Sequence, residues 1–104
     1  MEWSASKDNW NSLGGSFVPG AKVSVLSYTQ DQLEVFTCGK DGHVYASHWY
    51  NKSTGWSSNR DGWMQIGGSF PPGVEVSAIA HTPNNLDLFA CGDDGHVYTV
   101  SWKV

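Results

Sequence analysis

The sequence predicts an all-β chain made of two tandem, antiparallel, four-stranded sheets. Three observations lead there. When the 104 residues are slid against themselves by 53 positions, residues 1–51 align with 54–104, and 23 of those 51 pairs are identical. Twelve glycines fall between short runs of Val, Ile, Leu, Tyr, Phe and Trp, residue types that suit a pleated, half-buried surface. No stretch reads as a helix.

Each repeat, about 1–53 and about 54–104, divides into four strands in order. The first runs from Lys22 to Thr29, and from Glu75 to Thr82, with residues small and apolar enough for the crowded centre of a ring. The second is Leu33 to Cys38 and Leu86 to Cys91. It reaches the third, His43 to Tyr50 and His96 to Trp102, through a turn containing Asp41-Gly42 or Asp94-Gly95. Asp-Gly between apolar runs signals a hairpin, because glycine accepts the positive φ that such turns demand. The fourth strand is expected within Trp56 to Ile66, with Trp3 to Leu13 as its equivalent. Four antiparallel strands make one β-propeller blade, and a repeat of this length points to propellers or solenoids.

The phase of the repeat carries a further expectation. The chain opens on a fourth-strand segment and closes on a third strand, so residues 1–13 are expected to complete a blade of a neighbouring protomer. Blades pack on two neighbours each, and about three repeats are normally the minimum for stability. The expectation is therefore a cyclic homo-oligomer, first a trimer with six blades and second a tetramer with eight.

Composition narrows the partners. The formal charge is -4 and the six Lys and Arg are scattered singly, which offers no surface able to neutralise several phosphates and argues against nucleic acid. No run approaches the roughly 20 apolar residues of a membrane span, and the N-terminus has neither a basic start nor an apolar segment. The expectation is a soluble protein without membrane insertion, either secreted or cytoplasmic.

At Trp63, Gly67-Gly68, Leu86-Asp87-Leu88-Phe89, Gly92, Asp94-Gly95, Tyr98 and Trp102 the chain resembles the tryptophan-rich propeller repeats of the Photorhabdus-type lectins. The same run stands in the first repeat as Trp10, Gly14-Gly15, Leu33-Glu34-Val35-Phe36, Gly39, Asp41-Gly42, Tyr45 and Trp49. The resemblance implies a β-propeller with carbohydrate sites between adjacent blades, for fucose or related and O-methylated sugars. Members of that family usually carry a full ring of blades in one chain, whereas this sequence has two.

Sugar binding needs a flat aromatic face for the C–H side of the ring and a few fixed polar groups for the hydroxyls. All six tryptophans are repeat pairs, Trp3 with Trp56, Trp10 with Trp63 and Trp49 with Trp102. Each is either a platform for sugar or a wedge between blades. Gly14, Gly15, Gly67 and Gly68 allow close backbone approach and leave peptide groups free for hydroxyls. His43 and His96 follow the turn and bond either within the blade or to a ligand, while Asp41 and Asp94 read as turn residues. His48 faces Ser101 in the alignment and Tyr28 faces His81, which suggests two non-identical sites.

Other chemistry is weakly supported. Cys38 and Cys91 hold the same place in successive repeats, too far apart for a disulfide, and are expected as free thiols packed like small apolar groups. The pairs Cys38 with His43 and Cys91 with His96 have zinc-like spacing, but the same separation keeps four ligands from one ion, so no metal or cofactor is expected. A glycosidase needs an acid and a base at a defined separation, whereas the candidates Asp8/Asp61, Glu34/Asp87 and Asp41/Asp94 are merely duplicated. Asn51-Lys52-Ser53 matches the N-glycosylation pattern. The sequence thus reads as a multivalent lectin and not an enzyme, with a non-catalytic scaffold or protein-interaction propeller as the alternative.

Overall fold

A computed structural model of the chain describes residues 10–29, 31–50, 54–83 and 85–103. Strands β1 (Val23–Thr29), β2 (Gln32–Cys38), β3 (Val44–Trp49) and β4 (Met64–Gly67) form one sheet in that order. Strands β5 (Ser77–Thr82), β6 (Asn85–Cys91) and β7 (Val97–Lys103) form the second, also in chain order. Every neighbouring pair is antiparallel, so each sheet is an up-and-down, blade-like meander. The two Asp-Gly turns do what their residues predict. Gly42 and Gly95 each sit at φ 82°, and the hairpins close in the same register, Cys38 opposite Val44 and Cys91 opposite Val97.

The fourth strand takes up only the end of the segment expected to hold it. Within Trp56 to Ile66, Trp56 makes only an isolated bridge to Trp49, a short helix α1 (Ser57–Asp61) follows, and pairing with β3 begins at Met64. Serine hydroxyls explain the detour, since they offer backbone groups an alternative to the ladder. Ser57 Oγ accepts from His48 N at 3.0 Å, and Ser58 N donates to Ser47 Oγ at 3.1 Å. This corrects the expectation of a chain without helix. Residues 11–14, the repeat counterparts of β4, form no strand, and residues 1–9 with Trp3 lie outside the described residues.

The two sheets stack with unlike faces together. Because side chains alternate along a strand, each sheet has two chemically distinct faces. The first sheet contributes Phe36, Cys38, Val44 and Ala46 to the buried core, and the second contributes Leu86, Leu88 and Ala90, with Val76 just before β5. Under the repeat, Val76, Leu86 and Leu88 correspond to Val23, Leu33 and Val35, which lie on the opposite face of the first sheet. Phe89 and Val97, the counterparts of core residues Phe36 and Val44, are instead 39% and 71% exposed, while Val23 is 60% exposed. The Phe89 and Val97 face of the second sheet is bare, whereas the Val23 face of the first is open only along β1, at Val23 and Val25, and is buried at Val35, Thr37 and Ser47. Among the described residues no helix is long and apolar enough to cross a membrane.

Candidate functional site

The linker from β4 to the second sheet runs along the seam between the sheets. Phe70 N donates to Gly42 O at 2.9 Å, and the His43 Nδ1 lies 2.5 Å from Gly68 O. A side chain at Gly42 would place its Cβ 2.6 Å from Phe70 O, so this turn must stay glycine for the linker to approach. A cleft of about 560 Å³ opens beside it, lined by Gly67, Gly68, Ser69 and Phe70 from the linker, Val44 from β3, and Leu88, Asp94, Tyr98 and Val100 from the second sheet. That size suits a small ligand.

A second cleft of about 300 Å³ is lined by Gly15, Ser16, Phe17, Gly39, Lys40, Asp41, Tyr45 and Trp63. The two clefts share a wall by repeat. Gly15, Ser16, Phe17, Gly39, Asp41 and Tyr45 of the smaller correspond to Gly68, Ser69, Phe70, Gly92, Asp94 and Tyr98 of the larger. One position differs in charge, Lys40 in one and Asp93 in the other.

The polar part of this wall is prearranged. Asp41 accepts from the His43 backbone N–H at 3.0 Å and from the Tyr45 hydroxyl, and Asp94 accepts from His96 N–H at 3.0 Å and from the Tyr98 hydroxyl. These donors favour the charged carboxylate, with the tyrosine hydroxyl the largest cause, and hold both aspartates below their usual pKa. The same bonds raise Tyr45 and Tyr98 above the usual phenol value. Ring orientation follows from this anchoring. Phe17 meets Tyr45 edge-on at 6.2 Å and Trp63 edge-on at 5.0 Å, while Phe70 meets Tyr98 at 6.3 Å. The Trp63 indole N–H is buried with no hydrogen-bond partner among the described residues.

Of the residues singled out in the sequence, the structure brings Trp63, Gly15, Gly67 and Gly68 to the clefts, with His43 bonded to the linker behind them. Gly14 is exposed and lines neither cleft, and His96 is exposed with its ring 6.5 Å from Tyr98. Trp49 and Trp56 bridge each other, Trp102 stands opposite Leu86 on β7, and Trp10 is 80% exposed; none of these four lines either cleft. His48, on β3, lies 3.9 Å from Glu34 and packs on Tyr50 at 4.5 Å. Sequence reasoning passed over Phe17, Phe70, Tyr45 and Tyr98 as cleft walls. Their recurrence at matching repeat positions was the available signal.

Cys38 is buried in the core as an apolar group would be, but Cys91 is exposed, because β6 turns that face away from the first sheet. No three metal-ligating side chains converge among the described residues. Asn51-Lys52-Ser53 lies outside them.

No family model matches the sequence, and no curated protein matches it. The chain is similar to the BP39L lectin of Burkholderia pseudomallei. The likeness to that lectin's crystal structure covers 97% of this chain at 27% identity with a TM-score of 0.68. This chain spans 30% of the BP39L chain, so the two-sheet arrangement recurs within a longer lectin.

Proposed function

We propose that the protein is a non-catalytic carbohydrate-binding protein whose sites are the clefts between successive blades of a β-propeller. The observation that carries this reading is the repeated cleft wall, in which aromatic rings stand beside a glycine-rich segment, joined in the smaller cleft by a buried Trp63 N–H with no partner among the described residues. The rings offer apolar faces to sugar C–H groups, and the linker offers peptide groups to hydroxyls. A sugar hydroxyl reaching Trp63 would satisfy its orphan donor. The likeness to BP39L supports the carbohydrate class, and the resemblance in the repeat motifs supports fucose or related and O-methylated sugars.

The bonding of the carboxylates favours binding over catalysis. A glycosidase acid needs a raised pKa, whereas Asp41 and Asp94 are both lowered by their tyrosine partners. In this reading the 104-residue chain closes its ring by self-association, as a trimer of six blades or, second, a tetramer of eight, with residues 1–13 completing a neighbour's blade. Several weak sites on one rigid ring then act together on a glycan-coated surface. A glycan array tests the function. Selective retention on fucosylated or methylated glycans, abolished by the free monosaccharide, is the expected result. An array with no selective signal returns the scaffold alternative.

A further inference from the structure

The two repeats are chemically alike, yet the second is incomplete at one edge. In the first repeat Tyr45, Phe17 and Trp63 form a run of three rings, whereas in the second Phe70 meets Tyr98, which also meets His96, and no ring among the described residues takes the place of Trp63 against Phe70. Strand β3 carries β4 on its outer edge, with Tyr45 opposite Gln65 and Ala46 opposite Met64, while among the described residues β7 carries no strand on that side. The Gly42–His43 turn grips the linker, whereas a Cβ at Gly95 would meet nothing within 4 Å and the Gly95 carbonyl has no partner among the described residues. All the missing pieces have repeat counterparts in residues 10–17. Trp10 corresponds to Trp63, Asn11 and Ser12 to Met64 and Gln65, and Gly15 and Phe17 to Gly68 and Phe70.

We propose that residues 10–17 of a second copy of this chain dock on β7 and on the Gly95–His96 turn, in the register that residues 63–70 take on β3 and the Gly42–His43 turn. Asn11 of the second copy then lies opposite Thr99 and Ser12 opposite Tyr98. Trp10 of the second copy packs on Phe70, completes the three-ring run and closes the wall of the larger cleft. Phe17 N–H of the second copy donates to Gly95 O, and His96 meets its Gly15 carbonyl.

The bare faces identify the occupant. The exposed Phe89 and Val97 face is the counterpart of the Phe36 and Val44 face, and Val23 and Val25, exposed along β1, are the counterparts of Val76 and Ala78, which pack against that face within the chain. The bare Phe89 and Val97 face on one copy therefore matches the open β1 side of the first sheet on another. Such a head-to-tail contact is heterologous, and it repeats until it closes as a ring. This inference rests on the self-association reading above and does not depend on sugar.

Cross-linking tests the register. Residues facing each other across antiparallel strands have Cα atoms about 4.5–5.5 Å apart, within the range a disulfide spans. Asn11 and Thr99 are both exposed in the single chain. In a Cys91→Ser background, the double variant Asn11→Cys/Thr99→Cys should form covalent multimers on mild oxidation, with peptide masses showing a link between positions 11 and 99 of different chains. Either substitution alone should leave single chains. Failure to cross-link, a link within one chain, or self-linking of a single variant would overturn the proposal. A second measurement covers a misfolded cysteine variant. Trp10→Ala, which removes an exposed ring, should raise the concentration for half-assembly about tenfold with unchanged circular dichroism, and an unchanged value would overturn the docking of Trp10. Glycan binding by a variant that does not cross-link overturns the docking alone. Cross-linking without glycan binding overturns the carbohydrate reading alone.

Discussion

Phe36 and Phe89 occupy the same repeat position, so truncating each to alanine isolates what the stacking of unlike faces contributes. Phe36 is 4% exposed in the core between the sheets, whereas Phe89 is 39% exposed on the bare face. Emptying a buried phenylalanine site typically costs about 3–5 kcal/mol, and that is the expected loss for Phe36→Ala in urea denaturation. Phe89 is only partly covered within the chain, so Phe89→Ala should cost clearly less in stability under dilute conditions. Its remaining effect belongs to assembly. Burying a whole phenylalanine side chain is worth about 1.5–3 kcal/mol, so the 39% still exposed on Phe89 is worth roughly 0.6–1.2 kcal/mol once a second copy covers it. That is about a three- to eightfold rise in the dissociation constant per interface. Sedimentation over a dilution series measures it. Equal destabilisation by both substitutions, together with an unchanged dissociation constant for Phe89→Ala, would refute the argument.

Three other outcomes follow from the same geometry. In dilute protein Cys91 should react quickly with a thiol reagent and Cys38 only on unfolding, because one is exposed and the other buried; two equally slow thiols would contradict the packing. The Asp41–Tyr45 and Asp94–Tyr98 bonds should make stability fall at both extremes of pH. The lowered aspartates contribute fully above their ordinary 3.8 and lose that contribution as pH drops through their folded values, while the raised tyrosines contribute fully below 10.0 and lose it as pH climbs through theirs. Replacing Tyr45 and Tyr98 by phenylalanine should flatten both limbs of the urea-midpoint profile. For ligand binding, Trp63→Ala should remove about 1–3 kcal/mol of aromatic contact, measured by calorimetry against the best array sugar, whereas Trp49→Ala should leave affinity unchanged.

Most of the strand order could be read from the sequence because its signals are local. Alternating apolar residues and Asp-Gly turns placed six of the seven strands to within about two residues. The fourth strand takes up only the end of the Trp56 to Ile66 segment, because the first part is decided by contacts with β3, where Ser47, Ser57 and Ser58 exchange hydrogen bonds that no periodicity announces. The clefts were half legible. Glycine pairs and Trp63 stood out by composition, but the role of His43 depends on a carbonyl 25 residues away, and the tyrosines looked like ordinary strand residues until Asp41 and Asp94 fixed their rings. Exposure of Cys91 follows from which face of β6 is bare, a property of stacking and not of the repeat itself.

The most direct test of the carbohydrate reading is a two-dimensional NMR titration of the labelled protein with methyl fucoside and its O-methylated analogues. Shifts are expected at the Trp63 indole N–H, at the Gly15 and Gly68 amides and on the rings of Tyr45 and Tyr98. Shifts confined to Trp49, Trp56 or Trp102, or no shifts with any sugar of the panel, would contradict that reading.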